Sequence, residues 1–123
     1  MASFTDDDVF IRELVCELCR QFFTEGWVTG TGGSISIRSP ISGDIYMTPS
    51  GVQKERIKPH ELFVVDLEGK VKKPPLLQVQ NGTAPLKLSD CAPLFLHAFR
   101  QRQAGKEHVN IELFSSSFYL LHL

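Results

Sequence analysis

An abrupt change of hydrophobic period around a cluster of glycines most limits what this chain can fold into. Val9, Phe10, Leu14, Leu18, Phe22 and Phe23 recur at helical spacing, whereas Ser34-Ile-Ser-Ile-Arg38 alternates polar and apolar. Side chains realign about every 3.6 residues on a helix and every second residue on a strand. The chain must therefore pass from helix to strand within Gly26 to Ser34, a stretch that also holds Gly30, Gly32 and Gly33. That order matters, because a dinucleotide-binding glycine fingerprint sits after a strand and before a helix.

The flanking residues fix the remaining elements. Asp6, Asp7 and Asp8 suit a helix start, where carboxylates meet free N–H groups and the positive end of the macrodipole. The first helix is expected from about Asp7 to Glu25, with Gly26 as its left-handed stop. Ser42-Gly43-Asp44 is turn chemistry between Ser34–Arg38 and a second strand, Ile45 to Thr48, so the pair reads as a hairpin. A polar helical turn follows from Val52 to Ile57, then a strand in Leu62 to Leu67 and an edge strand at Lys70-Val71. Lys72 to Lys87, with Pro74, Pro75, Gly82 and Pro85, reads as a surface loop. Ser89-Asp90 cap a second helix that buries Leu94, Phe95, Ala98 and Phe99 and ends near Gly105. These elements mix helix with strand, an α/β class.

With 123 residues the chain builds one core at most. Hydrophobic residues at 42% and charged residues at 22% suit a folded chain. Thirteen basic against fourteen acidic side chains leave a net charge of −1, so no broad positive field recruits nucleic acid or an anionic membrane. Cys16, Cys19 and Cys91 are too few and too uneven for a disulfide scaffold, and the acidic start MASFTDDD is unlike a basic targeting peptide. No apolar run reaches the roughly 18 to 20 residues of a bilayer span. A cytoplasmic protein is expected.

Two small-residue clusters have the chemistry to hold an anion. Thr29, Gly30, Thr31, Gly32, Gly33 and Ser34 form either a tight turn needing positive φ or a nest of N–H groups and hydroxyls around a phosphate. Thr48-Pro49-Ser50-Gly51 opens a helical turn and is followed by Lys54 and Arg56, which could add charge-assisted bonds; a solvated turn is the plainer alternative. Cys16-x-x-Cys19 lies inside the amphipathic helix, where core packing is expected rather than redox or metal chemistry. Cys91 stands at a helix N-terminus, where N–H dipoles lower thiol pKa and attract anions; a capping-region thiol of no consequence is the equal alternative. His60, His97, His108 and His122 have no ligand spacing.

Read in order, LVCELCRQFFTEGWVTGTGGSISIR, IYMTPSGVQKERI and LSDCAPLFLHAFRQRQAG resemble the methylthioribulose-1-phosphate dehydratases of methionine salvage, a branch of the class II aldolase/adducin family. The match runs from Val9 to Gly105. The resemblance implies an α/β/α sandwich around a mainly antiparallel sheet, a homotetramer with active sites at subunit contacts, and one zinc ion on three histidines. It implies a lyase that removes water from 5-methylthioribulose 1-phosphate to give 2,3-diketo-5-methylthiopentyl 1-phosphate. By motif, Thr31, Gly32, Gly33, Ser34, Ser50 and Gly51 correspond to phosphate-side elements, and Cys91 to a substrate-contacting cysteine.

The resemblance stops at Gly105. The family continues into a strand ending in His-x-His, but here the corresponding positions are Val109 and Ile111, with His108 one place off. No catalytic residue or metal ligand is therefore assigned to this chain, and no zinc is expected on it. The division expected is a partial family domain, 1–105, and a divergent tail, 106–123, as from a truncated form that is inactive alone and able to dock onto full-length subunits. Ile111 to Leu123 is apolar with Glu112 as its one charge, and is expected to stay off the sheet. Two other functions keep the same fold: a non-catalytic binding or oligomerisation module of the adducin-head type, and a sugar-phosphate aldolase or epimerase.

Overall fold

The first helix, α1, spans Asp6–Thr24 and ends where the glycine demands it. Gly26 adopts φ 79°, Trp27 N–H donates to the Phe22 carbonyl at 2.8 Å, and Gly26 N–H to that of Phe23 at 3.0 Å. This Schellman closure brings the Trp27 ring onto Phe22, with centroids 5.1 Å apart. The computed structural model describes residues 6–27, 32–75, 86–101, 110–114 and 120–122.

Among the described residues eight strands follow the helix in two sheets. They are β1 (Ser34–Arg38), β2 (Ile45–Met47), β3 (Pro49–Ser50), β4 (Phe63–Val65), β5 (Val71–Lys73), β6 (Lys87–Leu88), β7 (Asn110–Phe114) and β8 (Leu120–His122). Short 3-10 turns at Lys54–Arg56 and Pro59–Glu61 and a second helix, α2 (Ala92–Gln101), complete the described elements. The larger sheet has the order β5-β4-β2-β1-β7-β8, and β3 pairs with β6 in a separate two-stranded piece. Every pairing is antiparallel.

The expected hairpin is β1-β2, registered Ile37 to Tyr46. Alternation along β1 sends Ile35 and Ile37 to one face and Ser34, Ser36 and Arg38 to the other. The first face meets α1: the Tyr46 hydroxyl, opposite Ile37, donates to Asp8 Oδ1 at 2.6 Å. The second meets the start of α2 through Ser34 and Ser89. Helices thus flank the sheet on both faces, the layered α/β arrangement expected.

The core joins Ile11, Val15, Cys16, Cys19 and Phe22 of α1 to Ile35, Ile37, Tyr46, Val64 and Val65, with Phe95 and Phe99 of α2. Val9, Phe10 and Phe23 share the helical spacing but face outward. What selects the inward stripe is a buried polar lock, in which Arg12 Nε donates to Asp8 Oδ2 at 2.8 Å and Arg12 Nη1 to the Pro59 carbonyl at 2.8 Å. A charge pair this deep must be satisfied on every side, so it fixes the helix rotation.

Two expectations need correcting. The tail was expected off the sheet, yet Asn110–Phe114 pairs with the whole of β1, from Arg38–Asn110 to Ser34–Phe114, and Leu120–His122 pairs with β7. Ile111 and Leu113 fall opposite Ile37 and Ile35, so the segment does carry an alternation that fits the register, and Ile111 packs against the core. The second concerns Lys72 to Lys87, read as loop throughout. Lys72 and Lys73 belong to β5, and Lys87–Leu88 pairs with Pro49–Ser50; residues 76–85 lie outside the described residues. A two-residue strand carries no periodic signal, so only its partner reveals it.

Candidate functional site

Three segments of the chain converge where the start of β1, the end of β2 and the start of α2 meet. The Ser34 hydroxyl lies 2.8 Å from the Thr48 hydroxyl and 2.8 Å from the Ser89 hydroxyl, and all three residues are buried. Thr48 Oγ1 also accepts the Ile35 N–H at 3.2 Å, and Ser89 Oγ accepts the Cys91 N–H at 3.1 Å. The cluster is therefore closed on itself and bolts the glycine loop, the Pro49-Ser50-Gly51 turn and the first turn of α2 into one corner.

The residues singled out as anion-binding candidates flank it. Gly32 and Gly33 are half-buried, with Gly33 at φ 81°, and Gly51 is exposed at φ 75°. A side chain at such backbone angles is strained, which is why both turns use glycine. Ser50 is half-buried and faces Lys87 across the β3-β6 pair. Ser34 shares the corner, but its hydroxyl is engaged within the cluster. Thr31 lies outside the described residues.

Cys91 is half-buried immediately before α2. Its thiol was expected to be acidified by the helix N-terminus; burial instead raises its pKa, opposed by a hydrogen bond from Ser89 and the Lys54 charge, while Asp90 adds to the rise. At this site burial is the largest influence on the thiol. Lys54 also departs from expectation. It is 2% exposed, its Nζ donates to the Val52 carbonyl at 2.9 Å, and burial lowers its pKa. Arg56 alone of the two cations is exposed.

Cys16 and Cys19 are core residues, as their helical setting predicted, at 3% and 1% exposure. Among the described residues no three histidine, cysteine or acidic side chains stand together in a way that would hold a metal ion. His60 is in the turn Pro59–Glu61, His97 is exposed on α2 and His122 is on β8. His108 and Val109 lie outside the described residues. The residues described do not fit the zinc that the resemblance implies. No described helix is long and apolar enough to cross a membrane.

Sequence reading placed Thr48 in the second small-residue cluster but did not join it to Ser34, and it missed Ser89 as a member of this corner. Thr48 reads as the end of a strand and lies just past β2, and Ser89 reads as a helix cap and accepts the Cys91 N–H. Their only common sign is a small hydroxyl residue beside each turn, and contacts separated by 14 and 55 residues leave no local trace.

Comparison with known proteins matches this arrangement to a family. The sequence pattern described as Class II Aldolase and Adducin N-terminal domain matches residues 13–106. A probable methylthioribulose-1-phosphate dehydratase from Drosophila persimilis is 51% identical over 94 residues, covering 76% of this chain and 40% of the relative. A methylthioribulose-1-phosphate dehydratase from Clavispora lusitaniae (strain ATCC 42720) is 44% identical over 115 residues, covering 83% and 45%. The chain thus spans less than half the length of these relatives. The solved L-fuculose 1-phosphate aldolase from Glaciozyma antarctica PI12 superposes with a TM-score of 0.67 at 19% identity, over 94% of this chain and 43% of that one, a likeness of fold alone. By the match over most of its length, the chain belongs to the class II aldolase and adducin N-terminal domain family.

Proposed function

We propose that this chain carries the phosphate side of a methylthioribulose-1-phosphate dehydratase. The observation that supports it most is the convergence of the glycine loop, Ser50-Gly51 and Cys91 on one hydroxyl-bolted corner, in a chain whose curated relatives at 44% to 51% identity bear that name. In this reading Gly32, Gly33 and Gly51 offer backbone N–H groups to the phosphate of 5-methylthioribulose 1-phosphate, with Thr31 and Ser50 adding hydroxyls and Ser34 holding the loop from beneath. Cys91 borders the sugar chain. Loss of water from that substrate gives 2,3-diketo-5-methylthiopentyl 1-phosphate.

The metal side is not assigned to this chain. Ile111 stands on β7 where the resemblance calls for a histidine, and it packs toward the core opposite Ile37. Residues 1–105 act as a partial family domain and 106–123 as its divergent tail. The chain by itself is inactive, cytoplasmic, and docks with complete subunits of a homo-oligomer. That same isoleucine favours one second reading, a non-catalytic binding module of the adducin-head type.

The test is to replace residues 106–123 by the corresponding continuation of the Drosophila persimilis relative and assay dehydration of 5-methylthioribulose 1-phosphate with zinc added. Activity is expected, and Cys91→Ala in that chimera should lower kcat/KM. A folded, zinc-loaded chimera with no turnover would favour the binding module, and turnover of a different sugar phosphate alone would favour an aldolase or epimerase.

A further inference from the structure

The two ends of the larger sheet, β5 and β8, are finished in opposite ways. An outer strand presents N–H and C=O groups that its one neighbour does not use, and folded chains guard such an edge with lysines, prolines or a break in register. The β5 edge has all three. Lys70, Lys72 and Lys73 lie in it or next to it, Pro74 and Pro75 follow it, and its pairing with β4 slips between Val64 and Val65. Ion pairs of Lys72 with Asp44 and of Lys73 with Asp8 still leave both lysine side chains about half exposed. The β8 edge is finished otherwise. Its register against β7 is unbroken, from Glu112–His122 through Leu113–Leu121 to Phe114–Leu120, and residues 115–123 contain no proline, lysine, arginine, aspartate or glutamate. Among the described residues β8 is paired on one side only.

We propose that β8 is an interface between two copies of this chain, in which Leu120–His122 adds antiparallel to the same strand of a second copy and the two larger sheets run on as one. What β8 leaves open is a row of backbone donors and acceptors, and another extended backbone satisfies such a row. Two identical antiparallel strands are related by a twofold axis, so a strand can be its own complement. With the axis at Leu121, each Leu120 meets His122 of the second copy, and no like charges oppose. The other edge is the guarded one, so assembly closes at two copies instead of running on head to tail. β8 also lies beyond residues 13–106, the stretch that matches the family, so the contact is a property of this chain's own tail. It does not depend on the phosphate corner.

Sedimentation velocity of the purified chain over a range of concentrations tests the interface. A reversible monomer–dimer equilibrium is expected, with no larger species. Leu121→Lys and Leu121→Glu each set like charges across the twofold axis and should sediment as monomers, with circular dichroism showing the sheet intact. Mixed in equal amounts they should recover the dimer, because each lysine then faces a glutamate. Val71→Lys, on the guarded edge, should leave the dimer unchanged. A chain that stays monomeric at every concentration, a dimer that survives Leu121→Lys, or one lost in Val71→Lys would each overturn the assignment, as would open-ended assembly. A second measurement needs no substitution: amide exchange within Leu120–His122 should slow as concentration rises through the dimer range, while that of Val71–Lys73 stays constant. Exchange at β8 that is independent of concentration would equally overturn it.

Discussion

Buried hydroxyls and charges in this molecule hold distant segments together, and their removal has predictable costs. Thr48→Val keeps the shape of the side chain but removes the acceptor of the Ile35 N–H and leaves the Ser34 hydroxyl with Ser89 alone. The expected loss is about 1 to 3 kcal/mol in a urea unfolding measurement, the cost of leaving such groups unpaired. Asp8→Ala should cost more, about 3 to 5 kcal/mol, because Arg12 is left buried beside a Tyr46 hydroxyl that has also lost its acceptor. A third expectation is pH dependence. Burial pushes the Cys16 thiol up to about 11 and that of Cys19 to about 12, from an ordinary value of 9.0. Because the folded values lie above the unfolded ones, this contribution is fully present below about pH 9 and is lost as pH rises toward 11 and 12. Urea midpoints should therefore fall on the alkaline side, and Cys16→Ala with Cys19→Ala should flatten that fall.

Among the elements, the tail strand carries the clearest consequence. Deleting residues 106–123 removes β7 and β8 and leaves β1, a strand buried along its length, as an open sheet edge. The expected result is a marked loss of strand signal by circular dichroism and lower solubility, since an unpaired apolar edge invites association. Secondary-structure content unchanged on deletion would show that β7 is dispensable. This strand also marks the boundary of what the sequence discloses. Helix α1, the β1-β2 hairpin and the cap of α2 were legible because each is signalled within a few residues: carboxylates at Asp6–Asp8, alternation through Ser34–Arg38, Ser89 before Cys91. The β1-β7 pairing joins residues more than 70 apart, and Ile111 reaches the core only through its place opposite Ile37. The candidate site was legible as its glycines and Cys91, which the family motif carries. It was not legible as a cluster, because Thr48 and Ser89 gain that role only by meeting Ser34.

At the scale of the whole molecule, the larger sheet, flanked by a helix on each face, presents one corner where turn backbone and a half-buried thiol lie side by side. If this corner holds a phosphate as proposed, its turn amides should respond to one in this chain alone. The most direct measurement is an NMR titration of the ¹⁵N-labelled chain with 5-methylthioribulose 1-phosphate and, separately, inorganic phosphate. The account predicts saturable shifts of the amides of Gly32, Gly33, Ser50 and Gly51 with one common midpoint, and movement of Cys91 with the sugar phosphate only. Shifts confined to other parts of the chain, or none with either ligand, would contradict it.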